Sequence, residues 1–413
     1  MKNHVLYISI DGLTDPLGQA QILPYVCGLS NRGFQFTLVS AEKPRLYSEH
    51  RLRIERICTE FGICWKPVVY RNSPPIIGTI WMQKQMRKTA LAAHKDLKFD
   101  LIHCRSYLAT QLGSALSADW RIPILFDMRG LWADEKVEGG IWNIKNPLHY
   151  AFYRHFKKVE KSLFAQCSGF ISLTYAALPE LAKISGSALL KKPHEVIPCC
   201  TDTNHFDPER LEEIQLEASR KNLGIAKDTF VMTYLGSIST WYMPTEMCKL
   251  FKRLQLHKPD ALFLIITREP AQQIEAIAES LEIDMKYIRV VPANRQELPS
   301  LLSLSTIAIS FVRPSYSKIA SSPTKMGEYL SMGIPVISNV GIGDTDKLFS
   351  HPEAGSLCRE FNNDCYDACI KDVIEILKSY PKSAIRELGK SMFDLNMALE
   401  RYERIYKNLI RQK

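Results

Sequence analysis

The stretch Pro323–Ile337, PTKMGEYLSMGIPVI, decides the fold because it combines one short helix with the buried strand that follows it. Ser322 suits the N-cap of this helix, and Pro323 suits its first position. Gly333 suits the left-handed residue that ends the helix, and the apolar residues after it are typical of a buried strand. This combination indicates a parallel sheet covered by helices on both faces.

The same alternation of strand and helix extends over most of the chain, and residues 364–413 are helical in pattern. We predict an α/β protein with two Rossmann-like, doubly wound parallel-sheet domains that face each other across a cleft. The predicted strands are His4–Ile10, Phe34–Ser40, Ile63–Val69, Asp100–Cys104, Ile122–Met128, Gly169–Thr174, Glu195–Pro198, Phe230–Leu235, Ala261–Thr267, Tyr287–Val291, Thr306–Phe311 and Pro335–Ser338.

The change between the two domains falls in residues 198–208, which are rich in Pro, Thr, Asp and Asn and are typical of a linker. We therefore assign residues 1–200 to an N-terminal domain and residues 201–390 to a C-terminal domain. Residues 391–413 form a final helix that we expect to pack back toward the N-terminal domain. The length of 413 residues fits this division.

The composition is that of a globular protein, with 46% hydrophobic and 23% charged residues. It disfavours a disordered, fibrous or disulfide-stapled chain, and no apolar run is long enough to span a bilayer. The eleven cysteines include no C-x-x-C pair, so we interpret them as core residues in a reducing cytoplasm and predict no metal site.

Charge is distributed unevenly along the sequence. The first 200 residues contain 26 Lys and Arg against 16 Asp and Glu, whereas the remainder contains 27 against 28. A basic half is compatible with an anionic inner membrane leaflet, a phosphorylated substrate or an ordinary solvated surface. A nucleic-acid partner is disfavoured because the basic half contains no recognised reading motif. We expect a cytoplasmic protein that either stays free or lies peripherally on the inner leaflet.

The start of the helix at Pro323 is a candidate phosphate site because first-turn N–H groups are free and carry positive dipole. Lys325 in that turn suits a bound anion, and the Glu328 carboxylate suits the two hydroxyls of a ribose. The alternative is an ordinary Lys–Glu pair on a solvated helix. The full set of predicted donor-binding residues is Gly18, Gln19, Arg313, Lys318, Ser321, Ser322, Lys325 and Glu328.

Charged residues also follow two predicted strands of the first half, and we predict a catalytic role for Arg105, Asp127 and Arg129. Charged groups at the ends of buried strands are costly unless they are paired or used. The alternative is an internal pair of Asp127 with Arg105 or with Arg129. Gly18 and Gln19 lie where the first strand enters a helix, but that loop is not the G-x-G-x-x-G of dinucleotide sites.

The residues above resemble the GT-B glycosyltransferases, and within them glycosyltransferase family 4 (group 1). Pro323–Ile337 is similar to the family's P-x-K-x-x-E-Y-L-A-x-G-x-P-V-I stretch. Val196–Asp202 resembles its inter-domain I-P-N-G-V-D segment, and Tyr234–Gly236 resembles its Y-V-G strand. The resemblance implies a retaining, metal-independent hexosyltransferase without cofactor. Its C-terminal domain would bind a nucleotide-sugar donor, and its N-terminal domain would bind a sugar or lipid-linked sugar acceptor, in polysaccharide or glycolipid synthesis.

The sequence departs from the family pattern at three places. The first of the two usual glutamates falls at Ala320, and the usual basic pair after the Y-V-G strand falls at Ser237 and Tyr242. The usual H-x-H at a first-domain strand end is replaced by residues 103–105, His-Cys-Arg. The lysines near the helix must then hold the diphosphate, and the sequence is typical of a divergent branch.

Two other functions remain open at this point. A nucleotide-sugar 2-epimerase shares the fold and needs acid and base carboxylates, for which Asp127 and Glu135 are candidates. A catalytically silent subunit that only binds sugar nucleotides is the second alternative, because the family's first glutamate and H-x-H are missing.

Overall fold

The computed structural model describes residues 3–74 and 76–411, which divide into two compact units. The first unit contains the chain up to Cys199 together with the segment from Leu395 onward, and the second unit runs from Cys200 to Asp394. The sequence analysis places these boundaries after residues 200 and 390. Each unit is built around its own parallel sheet.

The first unit contains a sheet with the strand order β3-β2-β1-β4-β5-β6-β7, in which neighbouring strands are parallel. Its strands are β1 (Asn3–Ser9), β2 (Phe34–Glu42), β3 (Cys64–Val69), β4 (Leu101–Arg105), β5 (Ile124–Asp127), β6 (Gly169–Ser172) and β7 (His194–Val196). The helices between them are α1 (Pro16–Gln21), α2 (Leu23–Asn31), α3 (Pro44–Glu60), α4 (Ile77–Asp96), α5 (Ser106–Trp120), α6 (Trp132–Glu138), α7 (Pro147–Gln166) and α8 (Leu178–Ser185).

The second unit contains a sheet with the order β10-β9-β8-β11-β12-β13, also parallel. Its strands are β8 (Val231–Leu235), β9 (Leu262–Ile266), β10 (Ile288–Val291), β11 (Ile307–Ser310), β12 (Val336–Asn339) and β13 (Gly355–Cys358). Its helices are α9 (Glu213–Leu223), α10 (Pro244–His257), α11 (Gln272–Ser280), α12 (Leu298–Leu302), α13 (Thr324–Ser331), α14 (Thr345–Leu348), α15 (Asn363–Ser379) and α16 (Lys382–Phe393).

Short 3-10 helices connect several of these elements, at Ser187–Lys191, Pro208–Arg210, Met285–Tyr287, Tyr316–Ala320 and Pro352–Ala354. Strands such as β9, LFLII, are buried along their whole length because helices cover both faces of the sheet. Within the described ranges, no helix is both long enough and apolar enough to cross a membrane.

The last helix, α17 (Leu395–Arg411), belongs to the first unit. Its buried residues recur every three or four positions, so one face packs against the first sheet and its helices. Leu399 lies so close to α2 that a Cβ atom on Gly28 would be 2.4 Å from the Leu399 Cδ1 atom. A side chain at position 28 would force the Leu399 side chain to move, so glycine suits this close approach of α17 to α2.

The twelve predicted strands are confirmed, with ends that differ by one or two residues. The sequence analysis missed β13, a four-residue edge strand that begins at Gly355, which has φ +131°. Both sheets reverse their strand order beside a central strand, between β1 and β4 and between β8 and β11. Ligands of such sheets bind beyond the carboxyl ends of the strands at these points.

Candidate functional site

The clearest candidate site in the second unit surrounds the ammonium group of Lys325, in the first turn of α13. The Lys325 Nζ atom donates a hydrogen bond of 3.0 Å to the Tyr234 hydroxyl. It also lies 4.1 Å from the centre of the Tyr234 ring and 4.0 Å from the centre of the Tyr242 ring. A Cβ atom on Gly236, which has φ +128°, would lie 3.0 Å from the same nitrogen. Glycine is therefore required where β8 ends.

This ammonium group is buried, and no described carboxylate pairs with it. Lys325 is 6% exposed, and in the described part of the chain no carboxylate lies within ion-pair distance of its Nζ atom. Burial lowers the pKa of Lys325 to about 7, although the more distant charge of Glu328 opposes the change. A buried cation held by aromatic faces is costly until an anion joins it, so the arrangement favours binding of a negatively charged ligand.

Glu328, one turn further along α13, is also buried. Burial raises the pKa of Glu328, while Arg295 and Lys325 oppose that rise. The Glu328 carboxylate lies 3.7 Å from an Arg295 guanidinium nitrogen, and in the described ranges it accepts no hydrogen bond from another side chain or from the main chain. Its oxygens can therefore accept hydrogen bonds from a ligand. Sequence reasoning missed Arg295, whose only signal is a basic residue shortly after β10.

The ring of Trp241 lies close to two further residues that were predicted to bind the donor. The Lys318 Nζ atom lies 3.7 Å from the Trp241 ring centre, and the Arg313 guanidinium lies 5.0 Å from it. The main-chain N–H of Arg313 donates to the carbonyl of Trp241 at 2.7 Å. Aromatic residues thus occupy the segment where the family has its basic pair. Trp241 and Tyr242 were not predicted as site residues, because tyrosine and tryptophan are more often core residues.

The helix that the sequence analysis placed at Pro323 begins one residue later than expected. Pro323 is the N-cap, and Thr324 is the first helical residue, so the assignment of Ser322 as N-cap is wrong. The fixed φ of proline, here −66°, is compatible with either position. Ser321 and Ser322 still precede the first turn of the helix. Gly333 has φ +69° directly after the last turn, as predicted.

Three hydrogen bonds hold the end of β8 and the segment that follows it. The Tyr329 hydroxyl accepts a 2.7 Å hydrogen bond from the main-chain N–H of Leu235, which joins α13 to the end of β8. The Glu269 carboxylate accepts a bond from the Ser237 hydroxyl and one of 3.2 Å from the Ile238 N–H. These contacts hold the segment after β8 beside Lys325.

In the first unit, the loop that follows β1 is held by a buried carboxylate, Glu42. The Glu42 oxygens accept hydrogen bonds from the N–H groups of Leu13 and Thr14 at 2.8 and 3.1 Å. A Cβ atom on Gly18 would lie 1.9 Å from the Gly12 carbonyl oxygen, so glycine is needed there for the loop to close. Sequence reasoning explained Gly18 by approach to a ligand and missed Glu42.

The side chain of Gln19 braces the same loop. Its amide nitrogen donates to the Thr14 carbonyl at 2.9 Å, and its amide oxygen accepts from Arg53. Donor binding by Gly18 and Gln19 stays a prediction. What the structure adds is that hydrogen bonds from Glu42 and Gln19 hold the loop at the carboxyl end of β1.

The predicted catalytic residues of the first unit form one buried network centred on Asp127, which is fully buried. Its Oδ2 atom lies 3.0 Å from the Tyr402 hydroxyl and 3.3 Å from the His103 Nε2 atom. Its Oδ1 atom lies 3.4 Å from a nitrogen of Arg129, and Arg105 approaches to 3.9 Å. The internal pairs considered as an alternative are therefore both present.

This network fixes charges that would otherwise be unstable in the core. Burial alone would raise the pKa of Asp127, but Arg129, His103 and Arg105 hold it well below its usual range. Burial lowers the pKa of His103, although Asp127 opposes this effect, and the His103 Nδ1 atom lies 2.5 Å from the Tyr406 hydroxyl. Asp127 therefore orients its neighbours and is poorly suited to exchange protons with a substrate.

The two arginines differ in what else they contact. Arg105 is buried, 3.3 Å from Asp11 and 3.4 Å from the Gln21 carbonyl. Arg129 is the more accessible one, with 11% of its side chain exposed, and it lies 3.3 Å from the Cys199 sulfur. A direct role for either arginine in the reaction stays a prediction. Tyr402 and Tyr406 were missed because their positions near Asp127 depend on contacts distant in sequence.

Two protein-family models match this chain. "Glycosyl transferases group 1" matches residues 215–386, and "Glycosyltransferase Family 4" matches residues 24–205. Together they cover most of both units, and the fold has the two parallel sheets of the GT-B class. The chain belongs to the group 1 glycosyltransferases of the family 4 type, and it is a glycosyltransferase. A comparison with curated proteins gave no significant match.

Solved structures with low sequence identity share the fold. A glycosyltransferase from Rickettsia africae has a TM-score of 0.72 at 18% identity, and sucrose-phosphate synthase from Thermosynechococcus elongatus has 0.74 at 14%; the full length of each chain is covered. HepE of Anabaena in complex with UDP and glucose has a TM-score of 0.69 at 16% identity, covering 98% of this chain and 100% of HepE. A UDP-GlcNAc 2-epimerase from Neisseria meningitidis is less similar, with a TM-score of 0.59 at 12% identity and coverage of 98% and 100%.

Proposed function

We propose that this glycosyltransferase moves a hexose from a nucleoside diphosphate sugar to a hydroxyl acceptor, with retention and without a metal ion in the reaction. The observation that carries the proposal is the buried Lys325 ammonium, which lies close to the Tyr234 and Tyr242 rings and has no carboxylate within ion-pair distance among the described residues. A diphosphate supplies the missing negative charge. The titles of the HepE structures give UDP, UDP-glucose and glucose as that protein's ligands, which supports a nucleotide sugar here.

In this mechanism the second unit stabilises the leaving group. Negative charge grows on the diphosphate as the sugar–oxygen bond breaks, and preorganised cations lower the energy of that state. Lys325 and Lys318 act on the phosphates, together with the positive end of the α13 dipole. Arg313, which also lies beside the Trp241 ring, reinforces the positive field. These cations do the work that a metal ion does in other transferases, so we expect no cofactor.

Glu328 has a different task in the same site. Its buried carboxylate has oxygens free to accept two hydroxyl hydrogens, which suits the ribose of the nucleotide. Burial raises the pKa of Glu328, and the charge of Arg295 opposes that rise. Arg129 and Arg105 of the first unit are proposed to act on the acceptor side, with Asp127 as the residue that positions them.

Donor binding and turnover can be measured separately for the full chain. Thermal shift with UDP-, GDP- and ADP-sugars identifies the donor, since a ligand at 100 times its Kd stabilises by about 2.7 kcal/mol. Transfer is then assayed for Lys325→Ala and Glu328→Ala, with Lys378→Ala as the matched control because Lys378 is an exposed lysine of the same unit. We expect both site variants to lose most transfer and to keep the fold. Unchanged turnover in both would refute the assignment.

The epimerase alternative is weakened by the surroundings of Asp127. An epimerase needs a carboxylate that exchanges protons with the sugar, whereas Asp127 is fully buried and its pKa is held well below the usual range. Incubation of the donor without acceptor distinguishes the two functions, because an epimerase converts the sugar and a transferase does not. Tight donor binding with no transfer to any acceptor would instead support a silent subunit.

We further propose that the acceptor is lipid-linked and that α4 contacts an anionic inner leaflet. Ile77, Ile80 and Trp81 are exposed at the start of this helix. Lys84 and Lys88 continue the same exposed face, since they follow at helical spacing. Beside them lies a groove of about 600 Å³ whose lining includes Lys84, Arg87, Lys88, Leu91, Ala92, His94, Lys95, Lys98 and Trp120. Apolar anchors next to a basic surface suit anionic headgroups over a hydrocarbon layer.

Sedimentation with vesicles of mixed anionic and neutral lipid tests this surface. Binding is expected at low salt, and it should weaken strongly in Lys84→Glu/Lys88→Glu and in Trp81→Ala. The control is Lys158→Glu/Lys161→Glu, which reverses two exposed charges on α7. Absence of wild-type binding at low salt, or equal loss in the control, would refute membrane docking by α4 and leave donor binding by Lys325 unaffected.

A further inference from the structure

Three cysteines of the second unit converge at the edge of its sheet, although the sequence separates them. Cys358 ends β13, Cys365 lies in the first turn of α15, and Cys369 lies one turn later. Their three Sγ atoms all lie within 4.8 Å of one another, and the Cys358 and Cys365 sulfurs are 3.6 Å apart. The sequence analysis interpreted them as core residues, because only the fold brings Cys358 to Cys365 and Cys369, which are one helical turn apart.

The spacing of the sulfurs suits a shared metal ion. A zinc ion holds thiolates at about 2.3 Å in a tetrahedron, which places sulfur pairs about 3.8 Å apart. A disulfide needs a sulfur–sulfur distance of about 2 Å and leaves the third thiol unused. Three mutually close sulfurs therefore fit coordination of one ion with little movement.

The surroundings of the cluster also suit thiolate ligands. Cys365 is the third residue of a 17-residue helix, and the Cys365 N–H is capped by the Asn362 side chain at 2.9 Å. The positive end of the helix dipole stabilises negative charge on sulfur there. Cys358 and Cys369 are almost fully buried, whereas Cys365 is partly exposed and gives an ion an entry path.

We propose that Cys358, Cys365 and Cys369 form a binding site for one soft metal ion, Zn²⁺ or Cu⁺. Thiolates select these ions, and Cu⁺ is satisfied by three sulfurs, whereas Zn²⁺ takes a water as fourth ligand on the Cys365 side. The ion holds the end of β13 to the start of α15. Phe361 lies in the turn between them, with its ring 5.3 Å from that of Phe311. The site is structural and independent of the proposed function.

The test uses the reduced full chain after removal of metal with a chelator. Co²⁺ alone is added as a spectroscopic probe of thiolate coordination, and Zn²⁺ alone is added to displace it; Cu⁺ is titrated against a competing chelator. We expect one equivalent of Co²⁺ with a sulfur-to-metal charge-transfer band, or one equivalent of Cu⁺. Binding of neither ion would overturn the proposal.

Cysteine substitutions test which side chains bind the metal ion. Cys365→Ser should weaken binding at least tenfold, and because this residue is partly exposed the variant is expected to fold. Cys64→Ser, a partly exposed cysteine of the first unit, should bind as wild type. Mass-spectrometric mapping of alkylation adds a measurement that needs no substitution: the metal should protect Cys358, Cys365 and Cys369. Unprotected thiols, a disulfide between two of them in reduced preparations, or unchanged binding by Cys365→Ser would each contradict the site.

Discussion

Replacing Lys325 by methionine should stabilise the free protein and abolish donor binding. Burial lowers the pKa of Lys325 from 10.5 to about 7, and each pKa unit corresponds to about 1.4 kcal/mol, so the charge costs up to about 5 kcal/mol at pH 7. Each lost contact with the Tyr234 or Tyr242 ring costs about 1 kcal/mol, and these losses offset part of the stability gained by removing the charge. We therefore expect a net gain of about 2 to 3 kcal/mol, or roughly 5 to 10 °C in Tm.

The stability difference between Lys325→Met and the wild type should depend on pH. The unfolded lysine keeps its proton up to about pH 10.5, whereas the folded one loses it near pH 7. The wild-type protein therefore gains stability as pH rises between these values, and the advantage of Lys325→Met should be largest at pH 7 or below and should shrink toward pH 10. The affinity of the wild type for UDP should fall by up to about tenfold per pH unit above pH 7, because only the ammonium form attracts the diphosphate.

Differential scanning fluorimetry at pH 6.5, 8 and 9.5, with and without UDP, measures both effects. Lys378→Met is the matched control, since Lys378 is exposed and paired with Glu375; it should change neither Tm nor the UDP response. A lower Tm for Lys325→Met at pH 6.5 together with a preserved UDP shift would refute the reasoning. It would mean that the ammonium is structural and does not bind the donor.

Gly236→Ala should lower Tm and weaken UDP binding about tenfold by calorimetry, because the new Cβ would lie 3.0 Å from the Lys325 nitrogen at φ +128°; wild-type affinity would contradict this. Glu328→Gln should weaken UDP binding about tenfold but change 2′-deoxy-UDP binding much less, and equal losses would exclude a ribose contact. Tyr402→Phe should cost about 1 to 3 kcal/mol in urea unfolding, since Asp127 loses its 3.0 Å donor, while UDP affinity stays unchanged.

Much of the fold could be predicted because the physical signal is local. Long apolar runs such as the one around Leu262–Ile266 can only be buried strands once helices flank them. The edge strand at Gly355–Cys358 was missed because it has only four residues and an edge strand needs less apolar surface. The predicted start of the helix at Thr324 was one residue too early, because serine and proline both suit the start of a helix.

The chemistry of the site was only partly accessible from sequence. Lys325 and Glu328 are visible because one helix turn places them together. The tyrosines around Lys325 are not visible in the sequence. Tyr234 and Tyr242 have the pattern of core residues, and only the folded loop after β8 places them beside Lys325. Glu42 and Tyr402 likewise depend on partners far away in the chain, and no local pattern announces such contacts.

The position of α17 has a consequence for the order in which the protein can be completed. Its Tyr402 and Tyr406 hydroxyls bond Asp127 and His103, so the ribosome must finish the whole second unit before the first unit receives these partners. A nascent or truncated chain that stops near Cys199 carries a buried carboxylate and an imidazole short of donors. The first unit is therefore built from two separate segments of the chain. Its leading segment, expressed alone or transferred into another protein, should have an incomplete core.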